Sequence, residues 1–342
     1  MTERPIPTAV VGLGLWGMNH VAAFRDDARC ELVVVCDRDE ERARNVGERF
    51  GCRWTTNLDD VIDAGVAAAG VATPDFAHHD IVLTLLTAGI HVLVEKPLAT
   101  SVDEARAMTE LAAASNCVAM VDYHNRWNPD HLAIKAALED GHVGEPLYGY
   151  YRLSNSNVVP REWLSWSGRS GPEWFLFPHS FDLVRWLLDR EPTSVFARGR
   201  RGLLDEAGIA SWDAIQASWT FGDVFVTFET SWVVPHGVAS PVDAQLTMYG
   251  TSAKVDYVQS NNGLSIAGND RLDFPWVEVG EPNRYGQLDH FIYGPMRTFV
   301  DSILGAVPPT STFHDGFVGV AMIEATLRSV NEGREVEISE IL

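Results

Sequence analysis

Cysteine is sparse in this chain. Cys30, Cys36, Cys52 and Cys117 form no CxxC pair and stand at no metal-ligand spacing with histidine. A disulfide framework and a cysteine-based metal centre are therefore not expected, and the four read as small buried apolar residues in a reducing cytoplasm. Positive charge is also in short supply: 26 Lys and Arg against 47 Asp and Glu leave a formal net charge of −21. A protein that grips a phosphate backbone needs a basic footprint, so a nucleic-acid partner is not expected. The acidic residues are spread along the chain and read as a solvated surface. No apolar run reaches the length of a membrane span. Residues 1–8 lack the charged-then-apolar layout of a secretory signal, and there is no internal repeat or low-complexity segment. These absences leave a cytoplasmic protein with no membrane partner as the expectation.

What is present is an ordinary packed composition, 46% hydrophobic and 21% charged, over 342 residues, long enough for two domains. The first third alternates short apolar runs with amphipathic stretches. Strands are expected at Thr8–Val11, Glu31–Cys36, Gly70–Ala72, His91–Val94 and Val118–Val121, with helices at Leu15–Phe24, Asp39–Phe50, Asp80–Ala88 and Ser101–Ala114. Such alternation marks a doubly wound parallel sheet with helices on both faces. The pattern changes near Tyr123. After a helix from Asn128-Pro129 to about Asp140, alternating runs dominate: Ile215, Ala217, Trp219 and Phe221, then Val224, Val226 and Phe228 across the Gly222-Asp223 turn. Further strands are expected at Tyr148–Leu153, Thr193–Arg200, Ala244–Tyr249 and Ala253–Val258, and helices at Gln287–Leu304 and His314–Val330. The fold class is thus α/β: a Rossmann domain over residues 1–123 and an α+β domain with a large, mostly antiparallel sheet over residues 124–342. The last helix, about 314–332, is one that can pack back on the first domain. A broad sheet with helices on one face needs cover on the other, which points to a homodimer or homotetramer.

Between the first strand and first helix lies Gly12-Leu13-Gly14-Leu15-Trp16-Gly17. In this context the glycines have separate tasks: Gly12 for the tight turn, Gly14 for close approach of backbone to a pyrophosphate, Gly17 for helix–strand packing. The helix opening at Leu15 and Trp16 then turns N–H groups toward phosphate oxygens. Asp37, 20 residues past Gly17, ends the second strand, where a carboxylate can hold the adenosine ribose hydroxyls. Its charge opposes a 2′-phosphate, which favours NAD over NADP, although neighbouring Arg38 could receive that phosphate. Thr73 and Pro74, at the end of a later strand, fall where the nicotinamide ribose would lie. His78 is either a contact there or a cap of the next helix. Glu95-Lys96-Pro97 ends the strand after that, with the lysine held between an acid and a rigid proline.

These elements together resemble the Gfo/Idh/MocA family of glucose–fructose oxidoreductases and inositol dehydrogenases. Gly89-Ile90-His91-Val92-Leu93-Val94-Glu95-Lys96-Pro97-Leu98-Ala99 carries the likeness most specifically. It continues through Asn125-Arg126-Trp127-Asn128-Pro129 and His179-Ser180-Phe181-Asp182-Leu183-Val184-Arg185-Trp186-Leu187. The resemblance implies NAD(P)-dependent hydride transfer between nicotinamide and a secondary alcohol or ketone of a sugar, inositol or related polyol. In that frame Lys96 matches the lysine that stabilises the reacting oxygen, and His179 the histidine that exchanges the proton.

One departure stands out. Members of the family often carry an Asp-x-Gly-x-His pattern, whereas here Phe175 holds the aspartate position and Phe177 the glycine position. The pocket becomes more aromatic, which suits the C–H faces of sugar rings and less polar substrates alike. Asp182 is the nearby acid that remains. Tyr123 and Arg126, just past a sheet strand, are candidate substrate contacts, as are Asn155 and Trp163. Trp166 stands with Trp163 as a pocket-wall candidate in the polar loop 154–172, Arg152 and Asn157 stand with Asn155 on placement beside that loop, and most other tryptophans, Trp276 among them, read as core or interface. Two other functions stay open: transient use of NAD to break a glycosidic bond, and a non-catalytic NAD(P)-binding sensor.

Overall fold

The computed structural model describes residues 4–238, 240–259, 266–267, 272–273, 288 and 290–342. They form two compact units, Met1–Asn128 with Glu278–Val320, and Pro129–Val277 with Ala321–Leu342.

The first unit holds a six-stranded parallel sheet in the order β3-β2-β1-β4-β5-β6. Its strands are β1 (Ile6–Val11), β2 (Cys30–Cys36), β3 (Arg53–Thr55), β4 (Ala68–Val71), β5 (His91–Val94) and β6 (Ala119–Val121). The chain starts at the middle and winds outward in both directions. The C-terminal ends of β1 and β4 therefore meet at the point where the strand order reverses, the position from which such sheets bind ligands. Central β1 and β4 are apolar because helices cover both faces. The helix after β2, Glu40–Phe50, is capped by the Asp39 carboxylate, which accepts the Arg42 N–H at 3.0 Å, and it ends at Gly51 with φ +68°. Ser101 stands at the N-cap of Val102–Ala114, but its side chain makes no capping bond.

Residues 290–320 complete this unit. The helix Gly294–Ile303 adds Met296, Phe299 and Val300 to the core that contains Val21 and Phe24 of helix Leu15–Asp26. The sequence expectation of one helix from Gln287 to Leu304 is shortened. Gln287 lies outside the described residues, Phe291–Tyr293 is a single 3₁₀ turn, and the α-helix starts at Gly294, with Pro295 in its first turn. Ser311 then ties the edge of β6 through Val121 N–H to Ser311 C=O (2.8 Å) and Ser311 Oγ to Val121 C=O (2.7 Å).

The second unit is built on a seven-stranded sheet. Its strands are β7 (Pro146–Asn155), β8 (Ser194–Arg200), β9 (Ala214–Phe221), β10 (Val224–Ser231), β11 (Val242–Gly250) and β12 (Lys254–Val258). Two short strands, β13 (Ile266–Ala267) and β14 (Leu272–Asp273), pair with each other, and β15 (Val336–Glu337) closes the large sheet in the order β12-β11-β7-β10-β9-β8-β15. All neighbours are antiparallel except β7 with β10. The β9–β10 hairpin turns at Gly222-Asp223 with Phe221 paired to Val224, and Gly222 takes φ +70°, which a glycine adopts without strain.

Alternation sets the two faces of this sheet. Tyr151, Ala217, Trp219, Val226, Phe228 and Leu246 point inward and are buried. Phe181 of helix Phe177–Leu188 packs on them, its ring edge-on to Phe228 at 4.9 Å and to Trp219 at 6.1 Å. Trp219 also donates to Thr326 Oγ1 at 3.1 Å, which seats the C-terminal half of helix Phe313–Glu332 on the same face. The opposite face carries Tyr148, Phe196, Phe225 and Val258, each 39–48% exposed. Tyr148 is stacked between Phe225 (5.7 Å) and Tyr249 (4.7 Å).

Candidate functional site

The turn after β1 is shaped by steric limits that differ among its three glycines. Gly12 has φ +88°, and a Cβ there would lie 2.6 Å from the Ala72 carbonyl. At Gly17 a Cβ would lie 1.9 Å from the Gly12 carbonyl oxygen, so the helix can approach the turn only without a side chain. A Cβ at Gly14 would meet nothing within 4 Å. Gly12 and Gly17 are thus required by the protein's own packing, whereas Gly14 faces open space. Gly14 is the N-cap of helix Leu15–Asp26 and brings no capping side chain. The first-turn N–H groups of Leu15, Trp16 and Gly17 are in the position that suits an anion. Leu15 is 72% exposed beside them.

Asp37 ends β2 and is 7% exposed. Its Oδ2 accepts the Leu13 N–H at 2.8 Å and faces Arg42 Nη1 at 3.3 Å, while Oδ1 accepts the Asp39 N–H at 2.9 Å. A carboxylate offers about four acceptor positions, so one remains for a hydroxyl. Arg42, one turn into the next helix, is the cation that pairs with Asp37, and the exposed neighbour Arg38 is not. Thr73 Oγ1 is buried without a hydrogen-bond partner after β4, which fits a polar ligand arriving there. Pro74 follows in extended backbone. His78 is fully buried, with Nδ1 2.9 Å from the Pro97 carbonyl and Nε2 3.0 Å from the Thr73 carbonyl. It joins the ends of β4 and β5, which is a structural task rather than the capping of a helix. These residues fit a dinucleotide, with Gly14 open to the pyrophosphate and Asp37 to a ribose.

Past β5, Glu95 and Lys96 are 5% and 6% exposed, and the Lys96–Pro97 peptide is cis. Burial lowers the Lys96 ammonium below the usual lysine range, against the pull of Glu95, Asp75 and Asp122. Its neighbour Glu95 belongs to a buried cluster that the sequence reading missed. His20 Nε2 is 3.2 Å from Glu95 Oε1 and 3.5 Å from Asp122 Oδ2, and Asp122 Oδ1 is 3.4 Å from His124 Nδ1. His124 in turn stacks on Trp16 with centroids 5.2 Å apart.

Burial alone would strip His20 of its proton, but the bonds and charges of Asp122 and Glu95 overcome it and raise the imidazole to about 9. Asp122 moves the other way: burial would raise it, and contact with His124 and His20 brings it down to about 2. The charged form of His20 leaves Nδ1 without an acceptor, a loss of about 1–3 kcal/mol. Each carboxylate near Nε2 returns about 4 kcal/mol at 4 Å and an effective dielectric of 20. The two carboxylates outweigh that loss together with the cost of burial, which favours the imidazolium at neutral pH. The signals were in the sequence: His20 follows Gly17 by one helical turn and precedes Phe24 by another, on the stripe that faces the sheet, and Asp122 sits at a strand's C-terminal end.

Tyr123 is 1% exposed. Arg126 lies with its guanidinium 5.9 Å from the Tyr123 ring centroid, 3.5 Å from Asp315 and bonded to the Thr310 carbonyl. In the second unit His179 is in the first turn of Phe177–Leu188, 9% exposed, and Asp182 follows one turn later, 4% exposed. Phe175 fills the space between Trp166 (6.1 Å) and Trp232 (5.8 Å), a wall of three aromatic rings. Asn155 ends β7, with Nδ2 bonded to the Pro241 carbonyl at 3.3 Å and Oδ1 buried without a partner. Trp163 is 54% exposed, Arg152 pairs with Asp243 at 3.0 Å, and Trp276 lies outside the described residues. The polar groups Thr230 Oγ1 and Trp232 Nε1, at the end of β10, are also buried without hydrogen-bond partners.

Comparison with known proteins accords with this geometry. Residues 6–123 match the model of an oxidoreductase family with an NAD-binding Rossmann fold, and residues 131–256 match the GFO/IDH/MocA C-terminal domain. Inositol 2-dehydrogenase of Rhizobium meliloti is 24% identical over 96% of this chain and 98% of its own length. D-apiose dehydrogenase of Paraburkholderia graminis is also 24% identical, over 99% and 92%. Among solved structures, GenD2 from gentamicin A biosynthesis in complex with NAD superposes with a TM-score of 0.85 at 25% identity, covering 98% of this chain and 97% of that one. The fold expected from sequence, a parallel Rossmann sheet followed by a large and mostly antiparallel one, is the fold observed. Among the described residues no helix is long and apolar enough to cross a membrane. With both of its domains matched, this chain belongs to the GFO/IDH/MocA family of oxidoreductases.

Proposed function

We propose that the protein is an NAD-dependent dehydrogenase that oxidises a secondary alcohol of an inositol, a sugar or a related polyol, or reduces the corresponding ketone. One observation carries this reading. A buried lysine, its ammonium destabilised by burial, ends a strand of the same parallel sheet that presents the Gly12–Gly17 turn and Asp37. A bound nicotinamide would supply the hydride acceptor or donor. Lys96 then hydrogen-bonds the reacting oxygen and stabilises its alkoxide character, and its lowered proton affinity lets it pass that proton on. His179 is assigned proton exchange by its match to the family histidine, without the acidic neighbour that Phe175 replaces. The names of relatives, inositol 2-dehydrogenase and D-apiose dehydrogenase, favour a polyhydroxylated substrate. Asn155, with its free acceptor, and Asp182 are proposed to read hydroxyls, and Tyr123, Arg126, Trp163 and Phe175 to shape the pocket.

Asp37 is the basis for NAD over NADP, because a 2′-phosphate beside its carboxylate meets like charge. Arg42 and Arg38 oppose that preference. Titration followed by tryptophan fluorescence should give a lower Kd for NAD(H) than for NADP(H), and Asp37→Ala should narrow the difference. Equal or tighter NADP(H) binding by the native protein would mean that the two arginines govern the site.

Lys96→Ala should leave NAD binding largely intact and lower turnover by about 10²–10⁴-fold. His179→Ala should cost less. The comparison is made on a substrate identified from a panel of inositols, sugars and their acids, with rates across pH 6 to 10. A larger loss in His179→Ala would place the proton on histidine and reverse the ranking.

The apolar outer face of the large sheet, centred on the stacked Tyr148, Phe225 and Tyr249, is proposed to be covered by a second copy, giving a homodimer or homotetramer. Light scattering should return at least twice the 37.7 kDa of the chain, and Phe225→Asp should lower that mass. A monomer at micromolar concentration would contradict the assignment.

A further inference from the structure

The chemistry assigned to Lys96 needs a lysine that can lose its proton, yet two buried carboxylates, Glu95 and Asp122, hold that proton in place. Among the described residues, the cation set against both is His20. The helix after the glycine turn carries it to the sheet. Gly70 in β4 admits it, since a Cβ there would lie 2.4 Å from His20 Nδ1. Phe24, one turn on, meets the ring edge-on at 6.5 Å. Its Nε2 then reaches Glu95 after β5 and Asp122 after β6. A glycine in the central strand and a fully buried ring thus seat a polar group that makes no other hydrogen bond.

We propose that His20 is a positioning residue for Lys96: its imidazolium, fixed between Glu95 and Asp122, cancels one carboxylate charge and so leaves the lysine free to exchange a proton with substrate. The charge count shows why. Glu95 and Asp122 bring two negative charges, and His20 and Lys96 bring two positive ones. Without the imidazolium both carboxylates act on the ammonium together, which binds its proton more tightly and slows its transfer. With it, Glu95 and Asp122 keep one net negative charge between them, Asp75 adds a second, and burial outweighs their pull on the lysine. The facing groups are Glu95 and Asp122 for His20, Glu95, Asp75 and Asp122 for Lys96, and His20 and His124 for Asp122. His124 supports Asp122 from its far oxygen, 3.4 Å away, and leaves the other oxygen to His20.

The inference rests on Lys96 as the active-site lysine, but its first test needs no activity. The chain has three lysines, Lys96, Lys135 and Lys254, so lysine-selective ¹³C/¹⁵N NMR can follow each ammonium through a pH titration. In His20→Gln the pKa of Lys96 should rise by about 1 or more, and those of Lys135 and Lys254 should stay. Adding Asp122→Asn restores the charge count and should bring Lys96 back toward its native value. A Lys96 that does not move in His20→Gln, or moves further in the double variant, overturns the proposal. Should either variant fail to fold, ¹⁵N-histidine NMR of the native protein decides. Two protonated ring nitrogens on His20 at pH 7.5 support the proposal, and a neutral ring overturns it. With a substrate in hand, the pH profile of turnover in His20→Gln should move to higher pH while Kd for NAD stays. If the NMR shifts appear and no dehydrogenase activity does, the electrostatic coupling stands and the functional reading falls.

Discussion

Four ionisable groups share a space with almost no water at the C-terminal edge of the parallel sheet: His20, Glu95, Lys96 and Asp122 are each no more than 6% exposed. An isolated charge so placed is costly, and a buried pair persists only when geometry compensates both members. Much of the first unit can be understood from this constraint. Glu95 and Lys96 leave β5 together, and Asp122 arrives from β6 alongside. The helix that carries His20 can reach them because Gly17 lets it lie against Gly12 and Gly70 makes room for the ring. The glycine turn with room for a pyrophosphate is therefore the same feature that delivers a cation to the two carboxylates beside the lysine. Cofactor cradle and charged cluster share one steric device.

Much of the fold was legible because its signals are local. Apolar runs between capped helices predict β1, β2, β4, β5 and β6 to within a few residues, and the Gly222-Asp223 turn predicts the hairpin with its register. Arg53–Thr55 escaped notice because three residues carry no measurable alternation, and the short helix Leu58–Asp63 after it for a similar reason. The parallel pairing of β7 with β10 could not be read at all, since it joins segments about 80 residues apart. Likewise the grouping of residues 278–320 with the N-terminal sheet depends on helix Gly294–Ile303 packing beside Phe24, which no local pattern encodes.

For the site, motif and chemistry separated. The sequence marks Gly12, Gly14, Gly17, Asp37 and Lys96 because a cradle and a strand-end lysine are fixed by short spacings. It marks His20 and Asp122 only by their places, on a helix stripe and at a strand end, and their meaning comes from meeting one another across three elements. Arg38 was the natural cation to name beside Asp37, yet helical geometry gives that contact to Arg42. Phe175 shows the reverse case. Its departure from the family pattern was visible in sequence, but only the structure shows what it does instead: it fills the gap between Trp166 and Trp232 with a third ring.

The central claim is that this chain moves hydride between a polyol carbon and nicotinamide. Isotope transfer tests it most directly. The native protein is incubated with NAD and, in turn, inositols and sugars deuterated at their ring carbons, and the reduced cofactor is read by mass spectrometry and proton NMR. Deuterium on nicotinamide C4, from one ring position and on one face, is the predicted result. Across a panel that includes inositols and pentoses, reduced cofactor free of deuterium, or substrate consumed with NAD left oxidised, would contradict it.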